Sequence, residues 1–139
     1  EKDGREVPAQ ENGMTKTHEL ICIVCPMGCH LIAEAGPDGV KVRGNSCPRG
    51  ESYAVQEITA PTRMLTSTVR LIGGAFPVLP VRTSRPVPKE KLFDCMREIN
   101  AVTAEAPVRA GEVLLFDLAG TGADLVAETA GEVCGGGQA

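Results

Sequence analysis

The chain has 139 residues, a hydrophobic fraction of 42% and a formal net charge of −4, from 18 acidic and 14 basic side chains. This length predicts a single domain with a real core. We expect a soluble, cytoplasmic protein, because no stretch approaches the length of an apolar membrane span. The acidic balance, without basic runs interleaved with aromatics, argues against nucleic acid as a partner.

Charge is distributed unevenly along the chain. Residues 41–97 hold ten Lys or Arg against four Asp or Glu, whereas residues 98–139 hold one base against seven acids. We interpret this as two stretches that neutralise each other in the folded domain. The alternative is a basic face for an acidic partner or an anionic cofactor, to which five side chains would contribute: Arg63, Arg70, Arg82, Arg85 and Lys89.

The amino-terminal part of the chain predicts a short strand and a hairpin. Residues 1–16 are polar and without periodicity, which predicts a disordered leader. Residues 17–23 predict a strand that enters a cysteine-rich loop. Residues 30–35 and 40–43 alternate around the turn residues 36–39, which predicts a β-hairpin.

The rest of the chain predicts two helices and four strands. The helices are expected at residues 50–59 and 89–102, and the strands at 65–72, 76–83, 111–118 and 123–128. Pro77 and Pro80 predict an edge or bulged strand. The second helix is expected to turn Leu92, Phe93, Met96 and Ile99 inward, and the Gly-rich residues 131–139 predict a flexible tail.

Together these elements predict an α+β fold: a small, mostly antiparallel β domain with one or two helices, built around a four-cysteine metal site. We expect one domain over residues 17–130, with the metal module at about residues 17–60.

Four of the six cysteines form one pattern, Cys22-x2-Cys25-x3-Cys29-x17-Cys47. Thiolates are the soft ligands that hold zinc or iron–sulfur clusters. The predicted hairpin leaves the first three cysteines and returns, so that it would bring Cys47 beside them. Gly28 permits a tight bend in the loop.

The spacing favours a [4Fe–4S] cluster over zinc. Zinc ribbons usually present two CxxC knuckles, whereas here three cysteines fall within eight residues and the fourth stands alone. Three crowded cysteines are typical of iron–sulfur loops, although the ferredoxin spacing is not matched. A structural zinc ion is the alternative.

The cysteine pattern also resembles a known segment. With Val42-x-Gly44-Asn45 and Cys47-Pro48-Arg49-Gly50, it is similar to the amino-terminal iron–sulfur segment of molybdopterin oxidoreductases. The resemblance implies a [4Fe–4S] cluster on the four cysteines, with Arg49 on the path to the cofactor. Those enzymes continue for hundreds of residues that bind the pterin, so we expect no molybdenum catalysis from this polypeptide.

As a whole, residues 17–129 resemble the small proteins described as CxxC motif-containing, a domain family of unknown function. The matching signatures are Ile23-Val24-Cys25-Pro26-Met27-Gly28-Cys29, Leu65-Thr66-Ser67-Thr68-Val69 and Leu79-Pro80-Val81-Arg82-Thr83. The resemblance implies a partner, since such proteins are often encoded beside FAD-dependent dehydrogenases of the anaerobic glycerol-3-phosphate type.

These observations lead to a functional hypothesis: an iron–sulfur electron-transfer subunit that serves a flavin-dependent dehydrogenase, accessory rather than catalytic. No Ser/His/Asp grouping, P-loop or GxGxxG motif indicates substrate chemistry. The alternative is a zinc-binding assembly module of an oxidoreductase complex.

Three further residues each allow a functional and a structural interpretation. His30 follows a ligand and could bond a cluster sulfur or replace a ligand, although a solvated strand histidine is the ordinary case. Cys95 is expected to be a buried structural thiol rather than a redox group. Cys134 is expected to be an exposed thiol or a vestigial residue, and the alternative is a resolving or partner-linking function.

Overall fold

A computed structural model describes residues 15–135, which form two compact units. The first unit ends at Pro61 and the second begins at Thr62. Most of the expected leader, residues 1–14, and the end of the expected tail, residues 136–139, lie outside the described residues. The expectation of one domain over residues 17–130 stays a prediction.

The first unit is a three-stranded antiparallel sheet followed by a helix. The strands are β1 (Lys16–Ile21), β2 (His30–Gly36) and β3 (Gly39–Arg43), in the order β1-β2-β3. Strands β2 and β3 form the predicted hairpin, with Gly36 opposite Gly39. Helix α1 (Pro48–Thr59) begins two residues before the predicted start, because proline is well suited to the first position of a helix.

The core of the first unit is small. Its buried apolar side chains are Cys22, Leu31, Ala33 and Ala54, with partly buried neighbours around them. Leu31 and Ala33 alternate along β2, the central strand, so one sheet face supplies much of this core. Cys22 is part of the same cluster, so the cysteine loop starts from inside the unit.

The second unit contains a five-stranded sheet and helix α2 (Leu92–Ala101). The sheet has the order β8-β5-β6-β10-β9 and is antiparallel except for the parallel pair β5/β8. Its strands are β5 (Thr66–Ile72), β6 (Val78–Thr83), β8 (Thr103–Glu105), β9 (Val113–Leu115) and β10 (Leu125–Ala127). Strands β4 (Thr62–Arg63) and β7 (Val87–Pro88) form a separate antiparallel pair.

The expected inward face of α2 is wrong at one position. Cys95 and Ile99 are buried in the core of the second unit, and Leu92 and Met96 pack against it. These four positions have the i, i+3, i+4, i+7 spacing of one helical face. Phe93 lies off that face and its side chain is 80% exposed.

The prediction that the two prolines mark an edge or bulged strand is also wrong, because β6 lies inside the sheet and pairs with β5 and β10 without a register shift. Pro77 precedes the strand. The carbonyl of Pro80 accepts a 2.9 Å hydrogen bond from the N–H of Glu128. In a strand, the nitrogen and the carbonyl of one residue face the same neighbouring strand. The nitrogen of Pro80 therefore faces Glu128, just past the end of β10. At that point the sheet does not need an N–H donor from β6.

The predicted fold class is confirmed: the chain is α+β, with mostly antiparallel sheets and two helices in the described residues. Gly131 and Val133, at the start of the expected tail, form β-bridges with Val108 and Gly74. Neither α1 nor α2 has the length and hydrophobicity that crossing a bilayer requires, and residues 15–135 hold no other α-helix.

Candidate metal-binding site

The four cysteines of the pattern all lie in the first unit, in the connections between its elements. Cys22 follows β1 and is buried, Cys25 and Cys29 are half-buried in the loop that leads to β2, and Cys47 is the half-buried N-cap of α1. All four carry free thiols. The hairpin β2–β3 spans the gap between Cys29 and Cys47.

The cysteine loop is closed by its own backbone. The N–H of Cys22 donates a 2.8 Å hydrogen bond to the carbonyl of Cys29, which continues the β1/β2 ladder by one step. Gly28 has a φ of +59°, a left-handed conformation that favours glycine. The first and third cysteines of the pattern are thereby held at the neck of one loop.

A second glycine returns the chain to the loop. Gly44 follows β3 with a φ of +89°, and a Cβ at this position would lie 2.1 Å from the carbonyl oxygen of His30. No side chain fits there, so glycine lets the end of the hairpin approach the residue next to Cys29. Asn45 then donates its Nδ2–H to the carbonyl of Cys47 at 3.1 Å, which fixes the start of α1.

Cys29 and Cys47 are both biased toward the thiolate. The Ser46 hydroxyl, whose Oγ lies 3.3 Å from Cys29 Sγ, lowers the pKa of Cys29, and the Ser46 backbone N–H lowers it further. The backbone N–H of Gly50 lowers the pKa of Cys47, followed by the side chain and backbone N–H of Arg49. The charge of Cys47 acts in the opposite sense on the pKa of Cys29, which is lowered overall, so the two thiols interact.

Arg49 connects the remaining cysteines to this pair. Its pKa is raised by a hydrogen bond with Cys47 and then by the charges of Cys47, Cys25 and Cys22. One guanidinium therefore interacts with three of the four thiols, and the fourth, Cys29, interacts with Cys47. The hairpin brings Ser46, the residue before Cys47, to 3.3 Å from Cys29 Sγ. The predicted closure of all four cysteines into one site stays a prediction.

The cysteines do not form a preassembled coordination sphere in the described residues. Within residues 15–135, no group of three or more His, Cys, Asp or Glu side chains is arranged to hold a metal ion. The donor set has suitable chemistry for zinc or an iron–sulfur cluster, since it consists of thiolates. Because a complete site is not preformed, we expect metal binding to be coupled to a local rearrangement of the cysteine side chains.

The other predicted residues have contacts of their own. His30 Nε2 is 3.6 Å from Glu19 Oε2, and both side chains are well exposed. Cys95 is buried in the second unit, where burial and then the charges of Glu98 and Asp94 raise its pKa. Cys134 is exposed, and its backbone N–H bonds the carbonyl of Gly73.

The predicted basic set lies in the second unit and has local partners. Arg82 Nε is 2.6 Å from Glu128 Oε2, Arg85 bonds the carbonyl of Gly122, and Arg63 bonds the carbonyl of Thr62. These contacts account for three of the five cations as ordinary surface charges. The basic docking face stays a prediction.

Sequence reasoning missed Ser46 and a groove beside the cysteines. Ser46 directly precedes Cys47, and that adjacency was the available signal. The groove has a volume of about 390 Å³ and is lined by Val24, Pro48, Arg49, Ser52, Tyr53 and Gln56. Its residues combine the cysteine loop with successive turns along one side of α1, a combination that appears only after folding.

Comparison with known proteins yields a family of unknown function. A family model described as a protein of unknown function (DUF1667) matches residues 48–129, more than half of the chain. The match starts immediately after Cys47, so all four cysteines of the pattern precede it. The expected membership of a domain family of unknown function is thereby confirmed, whereas the likeness to molybdopterin oxidoreductases finds no support.

One solved structure is also similar. The NMR structure of Clostridium perfringens protein CPE0013 shares 25% sequence identity and a TM-score of 0.47 with the chain. The alignment covers 52% of this chain and 86% of that chain. No curated protein matches the chain.

Proposed function

The chain belongs to the DUF1667 family, which provides no activity to transfer, and from its own cysteines we propose an iron–sulfur electron-transfer subunit. It would relay electrons to or from a flavin-dependent dehydrogenase, and the sequence resemblance suggests one of the glycerol-3-phosphate dehydrogenase type. The subunit would be accessory to that enzyme rather than catalytic.

The observation that carries the proposal is the interaction network around Arg49. Cys22, Cys25 and Cys47 all act on its guanidinium, and Cys29 is coupled to Cys47. Four thiols and one permanent cation would suit a cluster of net negative charge. Cys22, Cys25, Cys29 and Cys47 would hold a [4Fe–4S] cluster, which supplies a one-electron couple when bound.

The protein groups around the thiols would tune that couple. Arg49 places a positive charge beside the ligands and favours the more negative, reduced form. Backbone N–H groups of Gly50 and Arg49, and the Ser46 hydroxyl, would donate to sulfur in the same sense. Each of these groups would raise the reduction potential of a bound cluster, because each would stabilise added negative charge.

A second candidate function is a zinc-binding assembly module, and the small core of the first unit favours it. That unit buries few large side chains among its described residues, Leu31 being the largest. Units with so little core commonly need a metal or disulfides for stability. A structural zinc on the same four cysteines would meet that need without electron transfer.

Electron exchange with a flavin tests the proposal. The purified, iron-loaded chain is mixed anaerobically with photoreduced FMN, and visible absorption is followed, with cytochrome c added afterwards as acceptor. We expect bleaching by the reduced flavin and recovery of the absorption on addition of cytochrome c. Absorption that reduced FMN leaves unchanged would count against a relay.

A further inference from the structure

Exposed aliphatic side chains are concentrated beside the cysteines. Among the described residues of the first unit, the exposed large hydrophobic side chains all lie within residues 21–27: Ile21, Ile23, Val24 and Met27. Ile23 and Met27 are each 75% exposed. We refer to these four residues as the cysteine-loop rim. An apolar cluster of this kind marks an interaction surface more often than an isolated exposed residue does.

The rim continues into the groove on α1 through a shared residue, Val24. Of the six residues that line the groove, Arg49 is the charged one, and no lining residue is acidic. An occupant that complements both features would bring apolar side chains to the rim and a carboxylate to Arg49.

We propose that the cysteine-loop rim and the groove dock the partner dehydrogenase through an apolar surface that carries a carboxylate. The identity of this partner rests on the proposed function. Docking at this place would bring the flavoprotein directly against the loop that holds Cys22, Cys25 and Cys29. The contact surface and the redox site would then be the same part of the chain.

Two other occupants fit the surface less well. An anionic bilayer surface is recognised by clusters of several Lys or Arg side chains, and the groove lining supplies one cation. A second copy of the chain would need self-complementary charge across a two-fold axis. The rim and the groove lining contain no carboxylate to pair with Arg49, so two copies would oppose like charges.

Site-specific photo-cross-linking in cells that naturally produce the chain tests this surface. A photoreactive phenylalanine analogue is placed at Met27, and the matched control carries it at Phe93, which is similarly exposed but lies in the second unit. We expect the Met27 position to give a discrete adduct with a flavoprotein, cross-linked at a peptide with Asp or Glu beside apolar residues. The Phe93 position should give at least tenfold less of it.

Charge changes in the groove test the carboxylate. Ser52 lines the groove and is not among the proposed ligands. Ser52→Asp should reduce the adduct at least tenfold by repelling the partner carboxylate, whereas Ser52→Lys should keep or increase it. Equal effects of the two substitutions would overturn the proposed charge pairing.

Several other cross-linking results would contradict the proposed docking surface. Adducts only between copies of the chain, only with lipid, only with proteins that bind no flavin, or equally from Phe93 would each overturn the proposal. Iron content of the same Met27 variant separates this result from the proposed function. An iron-loaded chain without the adduct refutes the docking surface alone, and a zinc-loaded chain with the flavoprotein adduct refutes the relay alone.

Discussion

Arg49 and Ser46 bias different cysteines toward the thiolate. The hydrogen bonds of Ser46 lower the pKa of Cys29, whereas the Gly50 N–H and Arg49 lower the pKa of Cys47. Metal ligation requires the deprotonated thiol, so both effects would favour the proposed metal binding. Because the two sources are separate side chains, they can be removed one at a time.

Removing Arg49 or Ser46 should shift the pH dependence of one cysteine each. The thiolate is the reactive form, so a lowered pKa places the midpoint of alkylation at a lower pH. In the metal-free, reduced chain, Arg49→Gln should move the Cys47 midpoint to higher pH, and Ser46→Ala should do the same for Cys29. Iodoacetamide labelling over a pH series, read by mass spectrometry at each cysteine, measures both midpoints. Equal movement of both in either variant would contradict the assignment.

Ligand identity gives a second prediction at this scale. Cys47→Ser should lose most of the bound metal, because the site needs four thiolates and Cys47 is the one that Arg49 contacts. Cys95→Ser should leave the metal content unchanged, since Cys95 is buried in the core of the second unit. Metal analysis of the two purified variants checks this, and equal losses would show that the four ligands are wrongly chosen.

Arg49 and the four cysteines could be proposed from the sequence because their spacing is local or repeats a familiar pattern, and their role as a metal site stays a prediction. The sequence did not predict Ser46, whose role depends on the return of the hairpin to Cys29. It also misplaced Phe93, because hydrophobicity alone does not fix which side of a helix faces the core. All three phenylalanines of the chain are in fact exposed.

At the scale of elements, the hairpin β2–β3 sets the distance between Cys29 and Cys47. Its first residue, His30, follows Cys29, and Gly44 at its end lies against the His30 backbone. Register pairs from Ile32 with Arg43 to Gly36 with Gly39 hold the two strands together. The paired hairpin therefore holds the chain segments that carry the third and fourth cysteines near each other.

Gly44→Ala should separate the end of the hairpin from the backbone of His30. The added Cβ would lie 2.1 Å from the His30 carbonyl oxygen at a positive φ, so backbone must move, and we expect a loss of about 1–3 kcal/mol in the free energy of unfolding. Metal content should fall as well. Gly39→Ala is the control, because Gly39 also has a positive φ but nothing within 4 Å of an added Cβ. Urea unfolding and metal analysis that gave equal results for the two variants would contradict this role.

Helix α2 provides a stability prediction in the second unit. Ile99 is 1% exposed, so Ile99→Ala should leave a cavity and lower the free energy of unfolding by about 2–5 kcal/mol. Phe93→Ala should have little effect, because the ring is largely in solvent. Thermal or urea unfolding of both variants measures the difference, and a larger loss from Phe93→Ala would reverse the assigned face.

The elements that the sequence predicted are those with strong local signals. The hairpin, α1, α2 and strands β5 and β6 follow turn residues or periodicity that a few neighbouring positions reveal. Strand β8 was missed because it has three residues and pairs in parallel with β5, far away in sequence. The interior position of β6 was missed because the sequence does not show the register of β10. Its last residue, Ala127, pairs with Val81, so β10 ends one residue short of the position opposite Pro80.

At the scale of the whole molecule, the candidate metal site and most of the family match fall in different units. The four cysteines lie before Pro61, and the matched residues 48–129 cover α1 and nearly all of the second unit. Each unit has its own buried cluster. Charge neutralisation is seen within the second unit, where Arg82 of the basic stretch pairs with Glu128 of the acidic one.

Metal removal should therefore act unevenly. Chelation under anaerobic, reducing conditions should raise amide hydrogen exchange in β1–β3 and α1, because the small core of the first unit would lose the stabilisation that the proposed metal provides. Exchange in β5, β6 and α2 should change little, since these elements pack in their own cluster. Hydrogen-exchange mass spectrometry before and after chelation measures both regions, and equal deprotection would contradict a metal site confined to the first unit.

The identity of the bound metal tests the central claim most directly. The chain is purified anaerobically, iron, sulfide and zinc are quantified, and EPR spectra are recorded after dithionite reduction. The account predicts a brown protein with about four irons per chain and the EPR signal of a reduced [4Fe–4S] cluster. A colourless protein that holds one zinc per chain after the same handling would contradict it.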